Sequence, residues 1–101
     1  MSLYDLRTEA NALPQAWHSQ ILGQIGDANL KVLRMDERSV IEEVHEHDEG
    51  LLVIDGCLEL RVGGKKFSVT AGQLYVAKAG VPHTVEIGSV GTLVIIDLSE
   101  T

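Results

Sequence analysis

Apolar positions follow two different rhythms along this chain. Leu3, Leu6, Ala10 and Leu13 recur at helical spacing until Pro14 stops the pattern, and Ser2 with Asp5 three residues later resembles a helix-capping pair. One short amphipathic helix is therefore expected within residues 1–14. Beyond Pro14 the period changes: short runs rich in Val, Ile and Leu alternate with Gly, Asp and Asn roughly every ten residues, the punctuation of an all-β chain. The predicted strands are 16–22, 28–35, 39–47, 51–54, 57–62, 66–70, 73–77, 83–87 and 92–98. Gly26-Asp27, Asp36-Glu37, Gly63-Gly64 and residues 88–91 fall at their ends and supply the positive backbone angles that tight hairpins need.

Within this pattern, Leu58, Leu60 and Val62 alternate with Glu59 and Arg61, which describes a strand with one buried and one wet face. Residues 51–54 and 93–96 are apolar on both faces, so a second sheet or a second subunit must cover their outer side, and a homodimer is the expected assembly. There is no internal repeat, low-complexity stretch or linker. Residues 15–101 are read as one closed or nearly closed antiparallel β-structure of jelly-roll type, and residues 1–101 as a single domain.

Composition narrows the function. With 15 acidic against 8 basic residues, a net charge of -7 and no block of Lys or Arg, nucleic acid is not an expected partner. No apolar run approaches the roughly 20 residues needed to span a bilayer, so no membrane role is expected. The single cysteine, Cys57, cannot form an internal disulfide, and the first residues lack the basic and apolar parts of a secretion signal; a cytoplasmic setting is the expectation. Trp17, Tyr4, Phe67 and Tyr75 are the only aromatics of the Phe, Trp and Tyr class and are read as packing residues.

The possible chemistry is concentrated in Glu43-Val44-His45-Glu46-His47-Asp48-Glu49. In an extended strand alternate side chains share a face, so Glu43, His45, His47 and Glu49 would project together if no bulge intervenes. Two imidazoles and two carboxylates are costly to bury without a cation among them, and mixed nitrogen and oxygen donors suit Zn, Fe, Mn, Ni or Co. The plainer alternative is a solvated strand end. A second informative stretch, residues 72–83, ends in Gly80-Val81-Pro82 before His83.

Glu49 followed after six residues by Gly56, together with the pattern from Gly72 to His83, resembles the two motifs of the cupin superfamily over residues 39–87. The resemblance implies a cupin-type jelly-roll β-barrel behind the short N-terminal helix, with two histidines and a glutamate from the first motif and one histidine from the second around a divalent metal. His83 matches the second-motif histidine. Counting back from Gly56 makes Glu49 the glutamate and His45 the second histidine, which puts Glu43 where the family usually has its first histidine; starting from the visible pair makes His45 and His47 the histidines, with a bulge or deletion before Glu49. Ser39, Lys78 and Ile87 depart from the residues usual at their positions.

The expected metal ligands are thus His45, His47, Glu49 and His83, with Glu43 as the candidate proton carrier. Three or four protein donors leave room for water or a small polar ligand, which would support metal-assisted oxygenase, isomerase or lyase chemistry. The competing expectation is a non-catalytic module that binds a sugar or organic acid in the same pocket.

Overall fold

The computed structural model describes residues 2–37 and 42–99. Helix α1 is Leu6–Ala12. Its cap is Asp5, whose carboxylate accepts from the Thr8 amide at 3.1 Å, so the helix starts later than a Ser2 cap would place it. Leu13 is already extended ahead of Pro14; the Ala10 carbonyl, which also accepts from the Leu13 amide at 3.2 Å, and the Leu13 carbonyl both accept from Arg34 Nη1 at 2.8 Å. Ala10 is the fully buried contact of this helix, which packs on the outside of the sheet.

Among the described residues seven strands follow: β1 Gln20–Ile25, β2 Ala28–Asp36, β3 Glu49–Val62, β4 Lys65–Thr70, β5 Leu74–Ala77, β6 Thr84–Val85 and β7 Val90–Leu98. All the pairings are antiparallel, in the order β1-β2-β7-β3-β4, with β5 and β6 also on β3. The first half of β3 therefore lies between β7 and β5, and its second half pairs with β4 and β6. Every strand of the jelly-roll except β1 and β2 touches this one element, and those two reach it through β7.

β3 also corrects an expectation. Residues 51–54 and 57–62 are expected as two strands, but they belong to one strand of 14 residues with a bend at Asp55-Gly56. The register against β7 slips between Val53 and Asp55, and Gly56 then faces Gly91. Both glycines have positive φ (77° and 107°), and a Cβ on Gly56 would lie 2.0 Å from the Val90 carbonyl oxygen. Only a residue without a side chain permits this crossing. The Asp55 carboxylate, accepting from the Thr92 amide at 2.9 Å and the Thr92 hydroxyl at 3.2 Å, holds the bend.

The core lies on the inner face of the sheet. Leu33 and Met35 from β2, Leu51, Val53, Leu58 and Leu60 from β3, Val69 from β4 and Leu93 from β7 form one buried cluster. Each such side chain contributes about 1.5–3 kcal/mol by leaving water. Outside, α1 covers only part of the apolar face: Leu74 and Val76 of β5 and Ile96 of β7 stay exposed on the two sides of β3, where Leu74 and Ile96 both contact Gly50. The strand predicted at 39–47 lies partly outside the described residues. Of its remainder, Glu43 alone pairs as a strand residue, in an isolated antiparallel bridge to His83. The last predicted strand before β7 is correspondingly short, with β6 holding two residues.

Candidate metal centre

The site is assembled by three local devices. Glu43 and His83 exchange both backbone hydrogen bonds, each 2.9 Å, so they sit directly opposite one another with side chains on one face. Glu49 opens β3 and has the same parity as Leu51 and Val53, which aims it inward. His45 is tied to the turn before His83 because its carbonyl accepts from the Gly80 amide at 2.9 Å. Asp48 strengthens that tie by accepting from the Ala79 amide at 2.9 Å and from Lys78 Nζ at 3.1 Å. Those two bonds hold the Asp48 carboxyl below its usual range, and they give Lys78 a role at a position where the motif usually has proline.

These devices bring one ligand atom each from Glu43, His45, Glu49 and His83 within 4.8 Å of one another. His45 Nε2 is 3.2 Å from Glu43 Oε2 and 3.8 Å from Glu49 Oε1. His83 Nε2 is 3.8 Å from Glu43 Oε2 and 3.6 Å from Glu49 Oε1. Three of these four separations are too long for hydrogen bonds. They suit donors spaced around a shared centre, since bonds of about 2.1 Å to a tetrahedral ion set neighbouring donors roughly 3.4 Å apart.

Burial makes the same case electrostatically. Glu49 and His83 are 7% and 3% exposed, whereas Glu43 is exposed and His45 half-buried. Burial pushes the Glu49 carboxyl up; His45 and Lys31 pull it back, while Glu43 and Asp97 push it further. Burial also pushes the His83 imidazolium pKa down, with His45 adding to the effect and Glu43, Glu42 and the Val81 backbone opposing it. His83 Nδ1 is buried without a well-formed hydrogen bond. Two carboxylates and two imidazoles with no cation between them are unfavourable as they stand, and a divalent ion is complementary to the set.

His47, expected among the donors, is not in this group. It is exposed and lines a polar cavity of about 210 Å³ with Lys31, His45, Glu49 and Asp97. Alternation does not carry it inward because residues 44–48 are irregular rather than strand. Glu43, expected as a proton carrier beside the ligands, stands among the donor atoms instead. The arrangement is the one obtained by counting back from Gly56.

Two features of the surroundings were not anticipated. Lys31 Nζ donates to Asp97 Oδ2 at 2.8 Å beside Glu49; the pair shares the inward parity of Leu33 and Ile95, a signal the strand pattern does contain. Trp17, assigned to packing, does pack on the core, but it also lines a cavity of about 90 Å³ whose walls include Glu43, Glu49 and His83. Loop residues carry no periodicity from which that direction could be read.

Comparison with known proteins follows the same lines. A cupin-2 domain containing protein from Shewanella frigidimarina superposes with a TM-score of 0.88 at 20% identity, covering 97% of this chain and 96% of the other. A hydroquinone 1,2-dioxygenase from Sphingomonas sp. TTNP3 with 4-hydroxybenzoate bound gives 0.83 at 9% identity, covering 99% and 75%. A hydroquinone 1,2-dioxygenase in complex with Cd2+ and 4-hydroxybenzonitrile gives 0.80 at 12%, covering 98% and 74%. Likeness at these identities shows a shared fold. No curated protein sequence matches the chain. The family model described as Cupin domain matches residues 31–99, which is most of the chain and contains all four clustered donors, and the protein belongs to that family.

Proposed function

We propose that this protein holds one divalent transition metal through His45, Glu49, His83 and Glu43, and acts with it on a small polar molecule. The convergence of the four donor atoms within 4.8 Å carries the proposal. Such a metal would polarise an oxygen of a bound molecule or lower the pKa of a coordinated water. Glu49 and His83 are fixed by the β3 ladder and the bridge to residue 43, so they hold the centre against the barrel interior. Glu43, exposed at the rim and 3.2 Å from His45, is the donor best placed to exchange a proton with an incoming molecule. The cavity behind these residues is walled mostly by apolar side chains, an environment that disfavours water on the inner side of the site.

Oxygenase, isomerase or lyase action fits this arrangement, and the oxygenase reading draws further support from the two dioxygenases of the same fold. The proposal includes a homodimer in which a second copy covers the exposed row of Leu74, Val76 and Ile96, and a cytoplasmic setting in keeping with the free thiol of Cys57. Among the described residues, no helix is long and apolar enough to cross a membrane.

The test is elemental analysis of protein purified without chelator, followed by titration with Mn, Fe, Co, Ni and Zn. Stoichiometric binding that disappears in His83→Ala is the expected result. Failure of all five ions to bind overturns the proposal. Metal binding with no turnover of any oxygen-bearing small molecule would reduce it to a ligand-binding module.

A further inference from the structure

Resting on that reading, the cavity behind the metal donors says which molecules the site accepts. It measures about 90 Å³, and apart from Glu43, Glu49 and His83 its walls are mostly apolar: Leu33, Leu51, Leu58, Leu93 and Ile95, with Trp17 beside them. Three of the four donors, Glu43, Glu49 and His83, line it, so a ligand oxygen held among them borders this space.

Trp17 is built as a fixed wall. Its φ of 67° is in the left-handed region, which a bulky residue adopts only when its surroundings hold it there. Two bonds to β2 do so: its amide donates to the Arg34 carbonyl at 2.9 Å, and its indole Nε1 donates to the Asp36 carbonyl at 3.1 Å. With its backbone and its one polar ring atom both engaged, the indole offers carbon surface to the cavity and resists rotation.

Size then decides. A water-sized group takes about 30 Å³, and a dry engineered cavity of about 150 Å³ is known to hold benzene. The space beside Trp17 falls well below the second figure. We infer that Trp17 is a specificity-determining residue, and that the site takes a small molecule with an oxygen-bearing head on the metal and a short saturated tail against the indole, to the exclusion of an aromatic ring.

Hydroxamates test this, because the chelating head stays constant while the tail changes. The Co2+-loaded protein would be titrated with acetohydroxamate, butyrohydroxamate and benzohydroxamate, following the cobalt absorption bands. Trp17 is the single tryptophan, so its fluorescence reports independently on occupancy of the cavity. The expected result is butyrohydroxamate binding at least about tenfold more tightly than benzohydroxamate, with a change in Trp17 emission for the butyro ligand. Trp17→Ala should remove or reverse that preference with unchanged Co2+ affinity. Trp17→Gly relieves the positive φ and serves if the alanine variant folds poorly, and the wild-type series decides the tail preference by itself. Co2+ bound with affinities independent of the tail, or a benzo preference in the wild type, overturns the inference alone. Absence of Co2+ binding overturns the reading of the centre and this inference with it.

Discussion

The four donors form two unlike pairs, each with one carboxylate and one imidazole. Glu49 and His83 are buried and held from the β3 ladder and an antiparallel bridge; Glu43 is exposed, His45 half-buried, and His45 lies on an irregular segment tied down by the turn at Gly80. The inner pair has already lost its water in the folded chain, so its cost is present whether or not an ion is bound. The outer pair keeps much of its hydration. Affinity should therefore reside mainly in the inner pair, and exchange of ligands and protons in the outer one.

The largest expected effect comes from breaking the inner pair. His83→Ala should lower metal affinity by about 100-fold or more, since losing a donor should exceed the 10–100-fold typical of losing a supporting group. Calorimetric titration against the wild type checks it. Glu49→Gln should weaken metal binding similarly, yet raise the melting temperature of the metal-free protein at neutral pH, because it removes a charge that burial disfavours. A fall in melting temperature would show that the carboxylate is compensated by something other than a cation.

Smaller effects are expected outside. Glu43→Gln should cost roughly tenfold in metal affinity and should reduce any proton-transfer step more than binding, a difference visible as a loss in kcat larger than the change in KM. His47→Ala should leave metal affinity unchanged. Equal losses for Glu43→Gln and His83→Ala would remove the distinction between the pairs.

The subtlest test is the pH dependence of metal-free stability. His83 has its pKa lowered from 6.5 in the fold, so below pH 6.5 the unfolded chain binds more protons and stability declines as pH falls. Glu49 has its pKa raised from 4.5, so the folded chain binds the extra proton above that value, and this contribution grows as pH falls. The slopes oppose each other. His83→Ala should flatten the decline below pH 6.5 in a denaturation series, while Glu49→Gln should steepen it.

How much of this was legible in the sequence depended on whether a residue's neighbours impose a period. Leu58, Leu60 and Val62 announced their strand by alternation, and His83 was placed by the glycines and proline that shape the turn before it. The choice between Glu43 and His47 was not settled by alternation, because residues 44–48 leave strand geometry and their directions follow from contacts with residues 78–80. The expected break between strands 51–54 and 57–62 fails for a related reason: a glycine with positive φ serves equally for a reversal and for a bend, and the approach of Gly91 decides which. Trp17, expected within a strand at 16–22, lies in the turn ahead of β1, so its aim is purely tertiary.

Arg34 gives the fold an unexpected modularity. Its guanidinium clasps the end of α1 while its own carbonyl anchors the amide of Trp17, so the segment that closes the cavity is fastened to the barrel from outside it. All four donors come instead from residues 43–83. On the proposed reading, selectivity and metal chemistry are thereby written on separate stretches of chain, and exchange of residues 13–19 should resize the chamber with metal affinity unchanged, which titration of such a variant would check.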